Sequence, residues 1–166
     1  MYDVVVIGCG PSGMGCALNL LRANRSVLVL EREAVGGQIA TSPRVENIPG
    51  IKEISGLAYS DALFEQIIGL GAEFDLEQVT NIEKIDEGQF IIKTESGKEI
   101  ECKAVVIANG VTHRSMGLKN EEEFVGKGIS YCAVCDGAFY KGQEVYLIGD
   151  GNTACQYALL LANYCS

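Results

Sequence analysis

The first thirty-one residues constrain the fold more than any other part of the chain. Tyr2 to Gly8 holds a continuous Val-Val-Val-Ile run closed by glycine, the pattern of a buried strand. Pro11 to Asn24 carries apolar residues at Met14, Ala17, Leu18 and Leu21, which is helical spacing. Ser26 to Leu30 is a second apolar strand, with Glu31 at its end. Strand, glycine turn, helix and strand in this order define a parallel βαβ unit.

The turn of that unit reads Gly8-Cys9-Gly10-Pro11-Ser12-Gly13, the GxGxxG spacing of a dinucleotide-binding fingerprint. The chemistry needs each glycine for a different reason. The first permits the tight turn, the second lets a pyrophosphate approach the backbone, and the third lets the helix pack on the strand. The helix N-terminus then offers positive potential to the phosphates. Glu31 stands 18 residues after Gly13, where a carboxylate would accept hydrogen bonds from a ribose diol. A ligand-free glycine turn is the plainer alternative, but the strand before, the helix after and the acidic residue all favour a nucleotide.

Beyond Glu31 the pattern loosens. Glu31 to Ser60 is rich in Gly, Pro and Ser, and a long irregular stretch inside a domain is usually functional. Leu57 to Leu70 reads as an amphipathic helix. From Ala72 to Cys102, alternating segments broken at Glu87-Gly88 and Ser96-Gly97 predict a small antiparallel meander, followed by a buried strand at Lys103 to Ala108. Val111 to Gly128 is polar and reads as a connection between domains. A strand is expected at Glu144 to Ile148 and a helix at Asn152 to Tyr164.

The chain has seven cysteines, an odd number, and most lie in apolar segments. Cys9, Cys16 and Cys155 are expected to serve as small hydrophobes. Only Cys132-Ala133-Val134-Cys135 has a chemically meaningful spacing. Two thiols at the start of a helix can close a disulfide, and the helix end favours a thiolate there. Asp136 follows directly and is placed to exchange a proton. Half a zinc site is the alternative, but His113 is the only histidine and there is no second CxxC, so no metal is expected. One such motif among otherwise unpaired cysteines fits a reducing compartment.

A second fingerprint, Gly149-Asp150-Gly151-Asn152-Thr153-Ala154, follows the strand expected at Glu144 to Ile148. Gly149, Gly151, Asn152 and Thr153 become candidate contacts for a second nucleotide, again with a bare glycine turn as the alternative. Two nucleotide folds flanking one dithiol imply electron transfer between nucleotides and a disulfide. Formal net charge is −9 with the basic residues scattered, which excludes a nucleic-acid track and gives no attraction to an acidic membrane. No apolar stretch approaches bilayer length, and the start of the chain lacks the basic flank and cleavage site of a signal peptide. A cytoplasmic protein is expected.

The combination resembles low-molecular-weight bacterial thioredoxin reductase over essentially all 166 residues. The resemblance runs through Gly8 to Gly13, Gly36-Gly37-Gln38-Ile39, Val45-Glu46-Asn47-Ile48-Pro49-Gly50 and Ile54-Ser55-Gly56. It continues through Glu121-Glu122-Glu123-Phe124, Gly128 to Gly137, and Gly149 to Ala154. It implies an α/β fold: a Rossmann-like, three-layer FAD-binding domain with a small antiparallel meander over residues 1–113, then a partial pyridine-nucleotide domain bearing the CxxC over residues 114–166. By the same resemblance, Gly8, Gly10, Pro11, Ser12, Gly13, Glu31, Arg32, Gly37, Gln38, Ile39, Asn47, Val79 and Gly110 would contact FAD, with Glu31 on the adenosine ribose and Gln38 and Asn47 near the flavin.

It also implies a mechanism. NADPH reduces FAD, reduced flavin opens the Cys132–Cys135 disulfide, and Cys132 attacks thioredoxin. Cys135 would be the sulfur nearest the flavin and Asp136 the acid/base, in a homodimer whose domains rotate between half-reactions.

The chain departs from the family in three respects. Members are about twice as long. Gln156-Tyr157 stands where the family has two acidic residues, with Asp150 in place of a glycine, and Asn109 precedes Gly110 where threonine is usual. The second departure keeps a ferredoxin-linked reductase open beside NADPH, and a peroxide-system flavoprotein is a further cousin. The length makes a truncated, inactive FAD-binding remnant a third alternative. An uncovered Glu144–Tyr164 unit would expose several apolar side chains worth about 1.5–3 kcal/mol each, comparable with a whole domain at about 5–15 kcal/mol. Either a dimer or a longer polypeptide is expected to cover it.

Overall fold

β1 (Tyr2–Ile7), α1 (Pro11–Arg22) and β2 (Val27–Glu31) form the parallel unit that the opening sequence predicts, in a computed structural model that describes residues 1–166. Val4, Val5, Val6 and Ile7 align with Val27, Leu28, Val29 and Leu30. Successive side chains point to opposite faces of the sheet. Val4, Val6, Val27 and Val29 therefore meet Met14 and Ala17 of α1 and Ile67 of α2 (Gly56–Gly69), while Val5, Leu28 and Leu30 face the other way. Both faces being covered explains why this sequence is continuously apolar rather than alternating.

Local signals set the helix ends. Pro11 occupies the first turn of α1, where its missing N–H costs nothing, and Asn24 in the left-handed region (φ 57°) ends the chain's helical path. Ser55 caps α2, its hydroxyl accepting the Ala58 N–H at 3.2 Å.

The six-stranded sheet runs β3-β2-β1-β6-β5-β4, adding β3 (Glu73–Leu76), β4 (Val79–Asp86), β5 (Gln89–Thr94) and β6 (Glu99–Ile107). The antiparallel meander is real, but it is β4, β5 and β6; β3, which the sequence groups with it, pairs parallel with β2. The meander and the expected strand at Lys103 to Ala108 are also one structure. β6 is a single strand whose Cys102 pairs with Phe90 on one side and Tyr2 on the other. β3 ends at Leu76 and β4 begins at Val79, yet they lie at opposite ends of the strand order. Two residues span under about 10 Å, so the β4–β5 arm must fold back over the sheet. It does so onto the face of Val5, Leu28 and Leu30, where Val79, Ile82, Phe90 and Ile92 close the third layer.

These elements form one compact unit, Met1–Glu46 with Ile51–Val111; Asn47–Gly50 and Thr112–Ser166 form another. The second contains α3 (Glu121–Phe124), α4 (Ala133–Asp136), a 3-10 turn at Gly137–Tyr140 and α5 (Asn152–Leu161). Gly137 lies under α5, since a Cβ there would sit 3.1 Å from Leu161. The Gly142 N–H donates to Tyr164 (2.7 Å) and that of Ser166 to Gln143 (3.1 Å), tying the segment after the cysteines to the end of α5.

The strand expected at Glu144 to Ile148 does not form, and Tyr146 and Ile148 are exposed. A strand exists only through ladder hydrogen bonds to a neighbour, and no strand of this unit lies beside the segment. Cys155, expected as a small hydrophobe, is exposed on α5, whereas Cys9 and Cys102 are buried. No helix is long and apolar enough to cross a membrane.

Candidate functional site

The three glycines of the first fingerprint differ in what a side chain would meet. A Cβ on Gly8, whose φ is +105°, would lie 2.3 Å from the Ala108 carbonyl at the end of β6, and one on Gly13 would lie 2.0 Å from the Gly8 carbonyl. Both glycines are required by the protein's own packing. Gly10 is different: its nearest neighbour would be the Gly36 carbonyl at 3.9 Å. A Cβ on Gly10 would thus make only an ordinary van der Waals contact, at the N-terminus of α1, where Gly10 provides no side-chain cap. The first-turn N–H groups of Ser12 and Gly13 have no helical carbonyl to meet. Pro11 offers none. A bare glycine beside orphan amides and a helix dipole fits a pyrophosphate.

Glu31 closes this cradle. One carboxylate oxygen accepts the Cys9 N–H at 2.8 Å, and the other accepts those of Arg32 (2.8 Å) and Glu33 (3.1 Å). Its charge also bears on Cys9, whose thiol burial pushes up to about 12, with the neighbouring carboxylate adding to the effect. Cys9 is buried within the turn.

The loop after β2 is fastened to the same place. The Gly36 N–H donates to the Cys9 carbonyl (2.8 Å), and a Cβ on Gly37 would touch Gly10 Cα at 3.4 Å. Both glycines have positive φ, 101° and 58°. Gly36 has a second constraint, because a Cβ there would strike the Ser60 hydroxyl at 2.6 Å. Gln38 and Ile39 follow in the 3-10 turn Gly37–Thr41, with the Gln38 amide donating to the Val111 carbonyl. The irregular stretch is therefore ordered by glycine contacts and one bridge, Val45 to Ile54.

Of the remaining candidates, Arg32 is exposed, pairs with Glu33 at 3.0 Å and lines an open cleft with Leu76, Glu77, Gln78, Glu95 and Ser96. Val79 is half-buried at the start of β4, and Gly110 turns the chain after β6 with φ +64°. Asn47 groups with the second unit.

In that second unit Cys132 and Cys135 are joined by a disulfide, with Cα atoms 5.3 Å apart. Cys132 is the N-cap of α4, and its sulfur accepts the Cys135 N–H at 3.2 Å. The helix predicted at the cysteines is a single turn, but one turn suffices to direct an amide at the sulfur. Cys132 is half-buried and Cys135 exposed. No group of three or more His, Cys, Asp or Glu side chains is arranged around a metal position.

In the second fingerprint a Cβ on Gly149 would meet Ala154 at 2.8 Å, while Gly151, the N-cap of α5, has open space around it. Asn152 and Thr153 form the first turn of α5. The division between a packing glycine and an open one repeats that of the first fingerprint.

Three arrangements were not visible in the sequence. The Ser130 hydroxyl donates to Asp136 Oδ2 (2.6 Å) and accepts the Cys132 N–H (3.1 Å). Its position two residues before Cys132 is the only available hint. Glu121, read as part of a polar triplet, is buried, and its carboxylate accepts the N–H groups of Met116 and Leu118, both at 2.9 Å. These bonds hold its pKa below the ordinary glutamate value, the Met116 amide most strongly. His113 stacks on Tyr131 with ring centroids 3.7 Å apart.

A glycine cradle with a carboxylate at the end of the next strand, and a CxxC disulfide beyond it, define a class. The family model for pyridine nucleotide-disulphide oxidoreductases matches residues 2–166, and the chain belongs to that family. Within it, the chain is similar to thioredoxin reductases. That of Bacillus subtilis (strain 168) is 40% identical over 166 residues, covering 100% of this chain and 52% of the relative. That of Treponema pallidum is 41% identical over 162 residues, covering 97% and 52%. The crystal structure of thioredoxin reductase from Streptococcus pyogenes superposes with a TM-score of 0.93 at 37% identity, covering 99% of this chain and 53% of that one. The chain spans about half the length of the curated relatives it matches.

Proposed function

We propose that this chain supplies the FAD-binding part and the redox dithiol of a flavin-dependent thioredoxin-disulfide reductase. The observation that carries the reading is the conjunction, in one chain of this family, of an open glycine at an α1 N-terminus, a carboxylate at the end of β2 and a closed Cys132–Cys135 disulfide. Residues 1–113 form the FAD-binding domain in this proposal, and residues 114–166 begin the pyridine-nucleotide domain.

Gly10, Ser12 and Gly13 receive the pyrophosphate, and Glu31 the adenosine ribose. Arg32, Gly37, Gln38, Ile39, Val79 and Gly110 would be further FAD contacts, with Gln38 near the flavin. Gly149, Gly151, Asn152 and Thr153 begin the NADPH site. FAD bound there would supply two-electron chemistry between NADPH and the Cys132–Cys135 disulfide. The chain's own residues do the rest. Opening the Cys132–Cys135 bond takes up two electrons and two protons, giving two thiols. Cys132, as N-cap, keeps an amide aimed at its sulfur, which favours its thiolate as the attacking group. That thiolate forms a mixed disulfide with thioredoxin, and Cys135 then displaces reduced thioredoxin and restores the pair. Asp136 moves the proton.

A homodimer in the cytoplasm is part of the proposal. The compartment is supported by five unpaired cysteines beside a single local disulfide, the pattern of a reducing environment. Reduced ferredoxin as donor is the second reading, favoured by Gln156-Tyr157 in α5. The test is thioredoxin-dependent NADPH oxidation by the full-length, FAD-loaded polypeptide. Turnover abolished in both Cys132→Ser and Cys135→Ser supports the reading; turnover that survives either change refutes it.

A further inference from the structure

We infer that Ser130 is a positioning residue for disulfide exchange, holding the Asp136 carboxyl and the Cys132 backbone in one hydrogen-bonded unit. The inference rests on the proposed disulfide-reductase reading. Its basis is the direction of the hydrogen bonds around one hydroxyl. The Cys132 N–H points at Ser130 Oγ (3.1 Å), so that oxygen is the acceptor there. Its own proton is then free to be donated, and Asp136 Oδ2 lies 2.6 Å away. A hydroxyl has one donor and two acceptor sites, and this one uses its donor on the carboxyl.

Two consequences follow. Oδ2 is committed as an acceptor, so a proton on Asp136 sits on Oδ1, which makes no other hydrogen bond within the protein. The carboxyl is also fixed to the same turn as the sulfurs, because the Asp136 N–H donates to the Cys132 carbonyl (3.0 Å) and the Cys135 N–H to Cys132 Sγ (3.2 Å). Ser130 thus closes a ring of contacts around the CxxC turn, and the free carboxyl oxygen is the one that can serve a sulfur.

The step it assists balances as follows. An incoming thiolate bonds to one sulfur of a disulfide. The S–S bond breaks with its electron pair on the departing sulfur, which takes the proton that the attacking thiol gave up to the Asp136 carboxylate. No external oxidant or reductant enters, because exchange only redistributes an existing pair. Without Ser130 the carboxyl keeps its chemistry but loses its aim.

The test uses the full-length, FAD-loaded protein and the variants S130A, S130T, D136N and S130A/D136N. Thioredoxin and the small disulfide 5,5′-dithiobis(2-nitrobenzoate) are the acceptors, and a quinone that takes electrons from flavin directly is the control. S130A is expected to lower kcat for both disulfides by about tenfold, part of the 10²- to 10⁴-fold that positioned acid–base groups supply. KM for thioredoxin and the quinone activity are expected to stay unchanged, and S130T to recover most of the loss. S130A/D136N is expected to be no slower than D136N, because Ser130 acts through Asp136. The disulfide of flavin-free protein should also open more slowly with dithiothreitol in S130A.

Additive losses in the double variant, an equal fall in quinone activity, or S130A within twofold of wild type would each overturn the inference. Wild-type protein active on the small disulfide but not on thioredoxin would refute the proposed partner and leave the Ser130 result standing. Wild-type protein inert to both would refute the functional reading, and with it this inference.

Discussion

The Glu31 carboxylate accepts the backbone N–H of Cys9 at 2.8 Å, so the acidic residue at the end of β2 holds the glycine turn that ends β1. The same carboxylate collects the amides of Arg32 and Glu33. A side chain proposed to take a ribose thus also shapes the phosphate cradle. Glu31→Ala should weaken FAD binding on the order of ten- to a hundredfold and lower stability by about 1.5–3 kcal/mol, the range for hydrogen bonds to a charged group. Fluorescence titration with FAD and urea unfolding of the flavin-free protein measure the two effects separately.

Gly10 and Gly13 should part company under substitution. Gly13→Ala forces a methyl to within 2.0 Å of the Gly8 carbonyl and should destabilise the protein with or without cofactor, by about 1–3 kcal/mol or more. Gly10→Ala meets nothing closer than 3.9 Å. It should cost the flavin-free fold at most about 1 kcal/mol, the difference between glycine and alanine at an N-cap, while abolishing FAD retention. Thermal unfolding with and without FAD distinguishes the two.

After reduction, Cys132 should react before Cys135. The N-cap position directs the Cys135 amide at the Cys132 sulfur, and that bond stabilises a thiolate. Cys135 is the more exposed of the two, so access alone would give the opposite order. Limited alkylation with iodoacetamide near neutral pH, read by peptide mass spectrometry, should find the label first on Cys132.

Glu121 makes part of the stability of the Met116–Phe124 segment pH-dependent. Its carboxyl is held below the ordinary value of 4.5 by the Met116 amide and its neighbours. The ionised form is favoured in the folded protein, so the stabilisation is complete above pH 4.5 and is lost as pH falls through the lower folded value. Glu121→Gln should remove this acid dependence, and hydrogen exchange at the Met116 and Leu118 amides from pH 6 to 3 should show protection lost with falling pH in wild type and weaker but pH-independent protection in the variant.

The features legible in the sequence are those set by local rules. The run Val4 to Ile7, the helical spacing from Met14 to Leu21 and the glycines between them define β1, α1 and the cradle, because strand burial, helix periodicity and positive φ each leave a residue-level mark. Cys132 and Cys135 are legible by spacing. The assignment of β3 to the meander failed because partner choice depends on strand order, which alternation does not encode: Phe74 pairs with Val29 through contacts 45 residues away. The predicted strand at Glu144 to Ile148 has strand composition but no partner to give it a ladder. Ser130 and Glu121 were missed for a different reason. Their roles consist of hydrogen-bond direction and burial, and serine or glutamate in a polar stretch gives no sign of either.

The central claim is that a flavin held by the glycine cradle passes electrons to the Cys132–Cys135 disulfide. Anaerobic reductive titration of the full-length, FAD-loaded protein tests it most directly, by counting electrons taken up before the flavin absorbance is fully bleached. The account predicts about four per protomer in wild type, two for flavin and two for disulfide, and about two in Cys135→Ser. Equal uptake by the two proteins, or a wild-type protein that holds no flavin, would contradict it.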